Sequence, residues 1–253
     1  MNTHFFADTS VLLGRSMRHI FRSVDTIITT AITPIALMLL FVYVFGGAIR
    51  TDTDNYVNYL LPGIMLIAIA SGIAYTAVRL FTDMQSGIFE RFQSMPIARS
   101  SVLWAHVLTS LGANGLSLLI IVGVALLMGF RTSANVLDWL AVAGILTLFT
   151  LALTWIAIIA GLSAKSVDGA GGFSYPLIFL PFISSAFVPT DTMPGPVRWF
   201  AENQPVTSIV NTIQDLFAQQ PAGSDIWVAL AWCLGILVVA YAFATAAYKR
   251  QIA

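Results

Sequence analysis

Six stretches of this chain, each sixteen to twenty-seven residues long, contain only one charged residue between them. They are Ile27–Ile49, Tyr59–Leu80, Val102–Met128, Trp139–Leu162, Phe173–Val188 and Ile226–Tyr248, and the charge is Arg79, next to the end of the second. About 20 apolar residues in a helix cross the ~30 Å hydrocarbon core of a bilayer. In that medium a spanning segment must satisfy its own backbone, so the spans are read as helices. Composition agrees: 58% of residues are hydrophobic and 9% charged, whereas soluble domains carry roughly 25% charged residues. The expected fold class is an all-α polytopic membrane protein, a single domain over residues 1–253 with six transmembrane helices. The fifth span is short and holds Pro176 and Pro181, which predicts a kinked or locally unwound helix whose freed carbonyls need partners on neighbouring elements.

Six spans place both termini on one side, and basic residues choose that side. With the N-terminus inside, the inner segments hold Arg15, Arg18, Arg22, Arg79, Arg91, Arg99, Lys165, Lys249 and Arg250, and the outer ones only Arg50, Arg131 and Arg198. Both termini are therefore expected to be cytoplasmic. Residues 1–23 show no signal-peptide pattern; instead residues 5–22 space Phe6, Leu13, Met17, Ile20 and Phe21 as an interfacial amphipathic helix with basic flanks. Between spans five and six, residues 190–217 are too polar to cross. They place Val206, Ile209, Val210, Ile213, Leu216 and Phe217 at helical spacing, which predicts an outer re-entrant segment of one or two short helices, anchored by Trp199 and Phe200.

Several function classes lack their residues. The chain has no GxxxxGKS/T phosphate loop, no HExxH and no GxSxG. His4, His19 and His106 are dispersed, and the lone Cys233 lies in an apolar run, so no metal site and no disulfide is expected. His106 is read as an interfacial or packing residue. A proton- or sodium-coupled carrier needs an ionisable group deep in the hydrocarbon, but Asp25, Arg79, Asp83 and Asp138 all fall near span ends. The interiors hold only neutral polar groups such as Thr33, Asn114, Ser117, Thr154 and Ser184. Their ordinary use is interhelical hydrogen bonding at about 0.6 kcal/mol each. Asn114, between Gly112 and Gly115, is the candidate for a translocation pathway. Close helix contact is expected at Ala68/Gly72, Ala157/Gly161 and Ala240/Ala244. A chain that moves cargo with this residue set must be powered from outside.

The entry point for that power is sought in GIFERFQSMPIARS, residues 87–100. At 100° per residue, Met84, Ile88, Phe89, Phe92 and Met95 fall within an arc of about 140°, with Gly87, Glu90, Arg91 and Gln93 opposite. The expectation is a surface helix of about three turns over residues 84–95, ended by Pro96. Pattern alone leaves a passive connector and a docking helix equally open.

Asp83, Gly87, Glu90, Arg91, Phe92, Ser94, Met95, Pro96 and Arg99 resemble the signature that follows the second span in type-2 ABC exporter permeases, drug-resistance (daunorubicin-resistance-like) subgroup. A second stretch, residues 184–216, resembles that subgroup's F-V-P…M-P…N-Q-P-x-T element through Phe187, Pro189, Pro194, Gln204 and Pro205. The resemblance covers essentially the whole chain. It implies a permease in the bacterial cytoplasmic membrane that has no catalytic site and binds no cofactor itself. Two copies of a separate ATP-binding-cassette ATPase would bind ATP and Mg, and a second permease chain, expected to be identical, would complete the pathway. Gly87, Glu90, Arg91, Phe92, Met95 and Pro96 become candidates for ATPase coupling. Phe179, Phe182 and Phe187 join Asn114 as pathway candidates, and Pro189, Pro194, Gln204 and Pro205 would form an extracellular gate. The expected cargo is amphipathic or hydrophobic: drug, antibiotic or lipid-like. Membrane lipid is an expected partner and nucleic acid is not. Two alternatives stay open: a glycan-exporter permease of the same superfamily, and a non-transporting anchor that recruits a cytoplasmic partner.

Overall fold

The computed structural model describes residues 24–46, 55–87, 99–221 and 223–252. Nine α-helices occupy them, with no strand among the described residues: α1 Val24–Leu40, α2 Tyr56–Gln85, α3 Arg99–Leu127, α4 Val136–Ser163, α5 Val167–Gly172, α6 Ser174–Phe179, α7 Gly195–Asn203, α8 Pro205–Phe217 and α9 Asp225–Ile252. A π-helical turn, Phe41–Phe45, prolongs α1; 3-10 turns at Leu180–Ile183 and Thr190–Thr192 follow α6. Within them, four segments are long and apolar enough to cross a membrane: Tyr56–Gln85, Ser101–Leu127, Val136–Ser163 and Asp225–Arg250. Ala31–Phe45 and Val167–Ile183 are apolar but shorter.

The centre of the molecule is α2, which packs against α1, α3, α4, α5, α6 and α8, while α9 lies outside against α4 and α8. Leu60, Leu61, Ile64, Ile67, Ile69 and Ile73 of α2 are fully buried. They belong to a core shared with Phe130, Phe149, Ile209 and Phe217. A second cluster at the other end joins Leu80 and Leu103 to Trp155, Leu162, Ala240 and Ala244, so the C-terminal ends of α2, α4 and α9 lie together with the start of α3. We call this the Gly87 end, and the opposite one the hairpin end.

Helix starts at the hairpin end are fixed by asparagines. Asn135 caps α4 by accepting from the amides of Leu137 and Asp138, while its own amide donates to the Asp138 carboxylate at 2.9 Å. This reciprocal box explains why Asp138 stands at a span boundary. Asn55 caps α2 and also donates to the Gly129 carbonyl at 2.8 Å, tying the start of α2 to the end of α3.

Long helices overrun the apolar runs by three to five residues at most ends, because helical geometry continues until a cap stops it. The second span thus extends from Tyr56 to Gln85 and the fourth from Val136 to Ser163. The fifth is a broken helix, α5, α6 and a 3-10 turn, that begins at Val167 rather than Phe173. Met84 and Gln85 are the last turn of α2, not the first turn of a separate surface helix. The expected interfacial helix of residues 5–22 and residues 88–95 of the expected coupling helix lie outside the described residues.

Candidate functional site

At the Gly87 end, α2 is stopped by its cap. Gly87 has φ +69°, a left-handed conformation that glycine adopts without the Cβ penalty, and its amide returns to the Met84 carbonyl. This is the C-terminal glycine geometry that ends helices. The amphipathic wheel had run through it because apolar spacing does not register a cap. One turn earlier, Asp83 faces His106 of α3 with Oδ2 and Nε2 3.4 Å apart and the imidazole largely buried. This pair joins the two helices that bracket residues 88–98. Of the coupling candidates, Gly87 is placed by the structure; Glu90, Arg91, Phe92, Met95 and Pro96 fall outside the described residues.

Midway along the bundle, a buried polar chain joins α3 to α4 and ends against α2. Thr154 of α4 donates to the Thr150 carbonyl at 2.7 Å, its hydroxyl lies 3.1 Å from that of Ser110 on α3, and Asn114 Nδ2 donates to the Ser110 carbonyl at 2.9 Å. Asn114 is 2% exposed, and its Oδ1 has no hydrogen-bond partner. That oxygen occupies the space a Cβ on Gly72 of α2 would need. It therefore rests on the glycine backbone, where a weak Cα–H···O contact is the interaction open to it. Only a residue without a side chain permits this approach.

The hairpin end is organised by the Asn203-Gln204-Pro205-Val206-Thr207 element. Asn203 Nδ2 donates to the Trp199 carbonyl at the end of α7 (2.8 Å), and Thr207 Oγ1 donates back to the Ala201 carbonyl at 2.5 Å. Pro205 opens α8, where a missing N–H costs nothing. Gln204 reaches across: its Nε2 donates to the Ile183 carbonyl at 2.6 Å and the Leu180 carbonyl at 3.3 Å. Those carbonyls end the broken fifth helix, and Gln204 is the neighbour that satisfies them. Tyr56 OH donates to the Phe187 carbonyl at 3.0 Å, and Gln214 Nε2 to the Tyr59 carbonyl at 2.8 Å, so α2 is fastened to this unit twice. On the exposed rim, Arg198 pairs with Asp191 at 2.6 Å and Glu202 at 2.7 Å. The hydrogen bond to Glu202, then the two carboxylate charges, push the Arg198 pKa above its ordinary value. Burial first, and then the charge of Asp225, push the Asp215 carboxyl up.

The pathway candidates separate into two places. Phe182 and Phe187 stack at 4.7 Å and 5°, and Phe179 lies 6.1 Å from Phe182. Phe41, from the π-turn after α1, joins them at 4.7 Å from Phe187. Asn114 belongs to the polar chain instead. Among the gate candidates, Gln204 is buried, Pro205 and Pro189 are half-buried and Pro194 is exposed. Sequence reasoning did not single out Phe41, Ser110 or the His106–Asp83 pair. Ser110 stands four residues before Asn114, the helical neighbour spacing, and that was its one available signal.

Three comparisons bear on this arrangement. Residues 7–218 match the family model described as ABC-2 type transporter. The chain is 28% identical over 217 residues to the daunorubicin resistance ABC transporter permease protein DrrB1 of Streptomyces coeruleorubidus, covering 84% of this chain and 76% of that protein. It is 25% identical over 250 residues, 97% of this chain and 90% of the relative, to the probable doxorubicin resistance ABC transporter permease protein DrrC of Mycobacterium tuberculosis strain H37Rv. With apolar helices of membrane-crossing length and a family match over most of its residues, the chain is a membrane protein that belongs to the ABC-2 type transporter family and is homologous to the daunorubicin and doxorubicin resistance permeases.

Proposed function

We propose that the chain is the membrane-spanning half of an ATP-driven exporter that moves amphipathic or hydrophobic compounds outward across the bacterial cytoplasmic membrane. Its six spans are α1, α2, α3, α4, the broken α5–α6 unit and α9, with both termini cytoplasmic. Two ATPase subunits, which hold ATP and Mg, dock on the segment that begins at Gly87, and a second identical permease completes the pathway. The residue types agree with this division of labour, since the chain lacks a phosphate loop of its own. The names of the relatives, which concern daunorubicin and doxorubicin, favour polycyclic amphipathic cargo over glycans.

The observation that carries the reading is the course of α2. One continuous helix of thirty residues, about 45 Å long, runs from the Gly87 cap to the hairpin unit. Gln204, Tyr56 and Gln214 fasten the fifth span, the hairpin and α2 together there. A push on residues 88–95 is shared with α3 through the Asp83–His106 pair and arrives at the opposite end as a displacement of the hairpin. Glu90 and Arg91 supply the charged docking contacts, with Phe92 and Met95 as apolar anchors ahead of Pro96. The hairpin, with Pro189, Pro194, Gln204 and Pro205, closes the exit, and Phe179, Phe182 and Phe187 line the route beside it.

The test is Glu90→Ala with Arg91→Ala. Export of doxorubicin from proteoliposomes containing the partner ATPase should fall to background, and the ATPase should no longer co-purify. Retention of both would remove the docking role from this segment. A wild-type complex that hydrolyses ATP but moves no cargo would leave the chain as an anchor only.

A further inference from the structure

An apolar groove of about 400 Å³ opens between α4 and α9, lined by Ile156 and Ile159 on one side and by Trp232, Gly235, Val239 and Phe243 on the other. Gly235 forms its floor, since a Cβ built there meets nothing within 4 Å. The walls stand well out from the bundle: Phe243 is 64% and Val239 55% exposed. In water this would be an aggregation surface; on a membrane-spanning helix it faces acyl chains. Cations gather at one end of it. Leu162 of α4 and Ala244 and Tyr248 of α9 pack in one cluster, so Lys165, three residues past Leu162, lies at the same end as Lys249 and Arg250 in the exposed last turn of α9. Asp168, on the first turn of α5, is the one acid near Lys165 in sequence and leaves the group net positive.

We propose that this groove seats one acyl chain of an anionic phospholipid whose phosphate is held by Lys165, Lys249 and Arg250. Charge complementarity selects the headgroup, because each lysine or arginine near an anionic bilayer surface favours it independently. Length agrees as well. From Lys249 to Gly235 is fourteen residues, about 21 Å of helix, and half of a bilayer that measures about 40–45 Å with its headgroups is the same distance. A lipid held by its phosphate at the end of α9 therefore lays its chain terminus on Gly235. A zwitterionic lipid fills the groove equally well but lacks the net charge that the three cations select. None of the groove residues or the three cations belongs to the hairpin or to residues 88–95, so the seat stands whether or not the docking role of those residues does.

The experiment is native mass spectrometry of the purified protein released from nanodiscs of equimolar phosphatidylglycerol and phosphatidylcholine. Retained phosphatidylglycerol should exceed phosphatidylcholine by about tenfold for the wild type. Lys249→Gln with Arg250→Gln should bring that ratio close to one. Gly235→Phe, which fills the floor of the groove, should remove the tightly retained lipid while thermal unfolding stays as in the wild type. Should Gly235→Phe not fold, Val239→Trp closes the same groove from its wall and takes its place. Equal retention of the two lipids by the wild type, or unchanged retention in the groove-filling variant, overturns the proposal. So does a groove-filling variant that retains its lipid and loses the dimer, which would assign the face to a second copy of the chain.

Discussion

Helices α2 and α9 are nearly the same length, thirty and twenty-eight residues, and both are apolar enough to span a bilayer. Their fates differ: 67% of the most apolar stretch of α2 is buried within the protein, against 17% for α9. Hydropathy places both helices in the membrane and says nothing about which becomes the centre. Small and polar residues make that distinction. Gly72 lets Asn114 approach the α2 backbone, whereas Gly235 of α9 faces open space. In hydrocarbon, apolar surface gains nothing by leaving lipid for protein, so close packing and polar contacts decide which faces meet.

Alanine at those two glycines should break the comparison most sharply. At Gly72 the added methyl group collides with Asn114 Oδ1, which is boxed in by Ser110, and the cost is expected at about 1–3 kcal/mol. At Gly235 the same substitution meets nothing and gains helix propensity, up to about 1 kcal/mol in the stabilising direction. Reversible unfolding in mixed micelles measures both. Destabilisation of equal size at the two sites would mean that α9 is packed as tightly as α2 in the assembled protein.

Gln204→Leu comes next in size. It leaves the Ile183 and Leu180 carbonyls without their donor, a loss of about 1–3 kcal/mol where a buried acceptor is left open. Because Gln204 fastens the broken fifth helix to the α7–α8 hairpin rather than to α2, the variant should loosen the hairpin before the bundle. Proteolysis or hydrogen exchange across residues 180–217 should rise first, with α2 and α4 still protected. Simultaneous loss of protection throughout would show that the hairpin and the α2 core form one cooperative unit.

Legibility in the sequence divides along the same line. The charge-free runs marked the four long apolar helices, and the Asn203–Thr207 element stood out by its resemblance to a family motif, while the reach of Gln204 to Leu180 and Ile183 did not show. Contacts between helices were hidden, since they depend on how each helix is rotated about its axis. His106 read as a packing residue because Asp83, its partner, is twenty-three positions away on another helix. The end of α2 was misjudged for a local reason: Gly87 was visible, but the apolar wheel from Met84 to Met95 continues through it. Phe41 was hidden because a π-turn, not an ideal helix, sets its direction.

Asp215 offers a smaller effect with a definite sign. Its carboxyl pKa is raised by burial and then by Asp225, so the charged form is disfavoured in the folded state. The penalty is absent below the unfolded carboxyl pKa, about 3.9, and grows as pH rises through the higher folded value. Asp215→Asn should therefore unfold at a higher temperature than the wild type at pH 7, with the difference vanishing as pH falls towards 4. A gap that persists at low pH would assign the effect to hydrogen bonding instead of charge.

The smallest expected effect lies on the lipid face of α9. Val238 is 66% exposed, so Val238→Leu exchanges one lipid-facing aliphatic group for another and should change unfolding by less than about 0.5 kcal/mol. On the buried side of the same helix Ala244 is fully enclosed in the cluster that α9 shares with α4, and Ala244→Leu overpacks that seam at about 1–3 kcal/mol. The two substitutions add apolar volume within two turns of each other, and the face that receives it decides the cost. If Val238→Leu proves as costly as Ala244→Leu in the reconstituted protein, the exposed side of α9 is covered by another polypeptide. The contrast between central α2 and peripheral α9 would then describe an isolated chain and not the assembly.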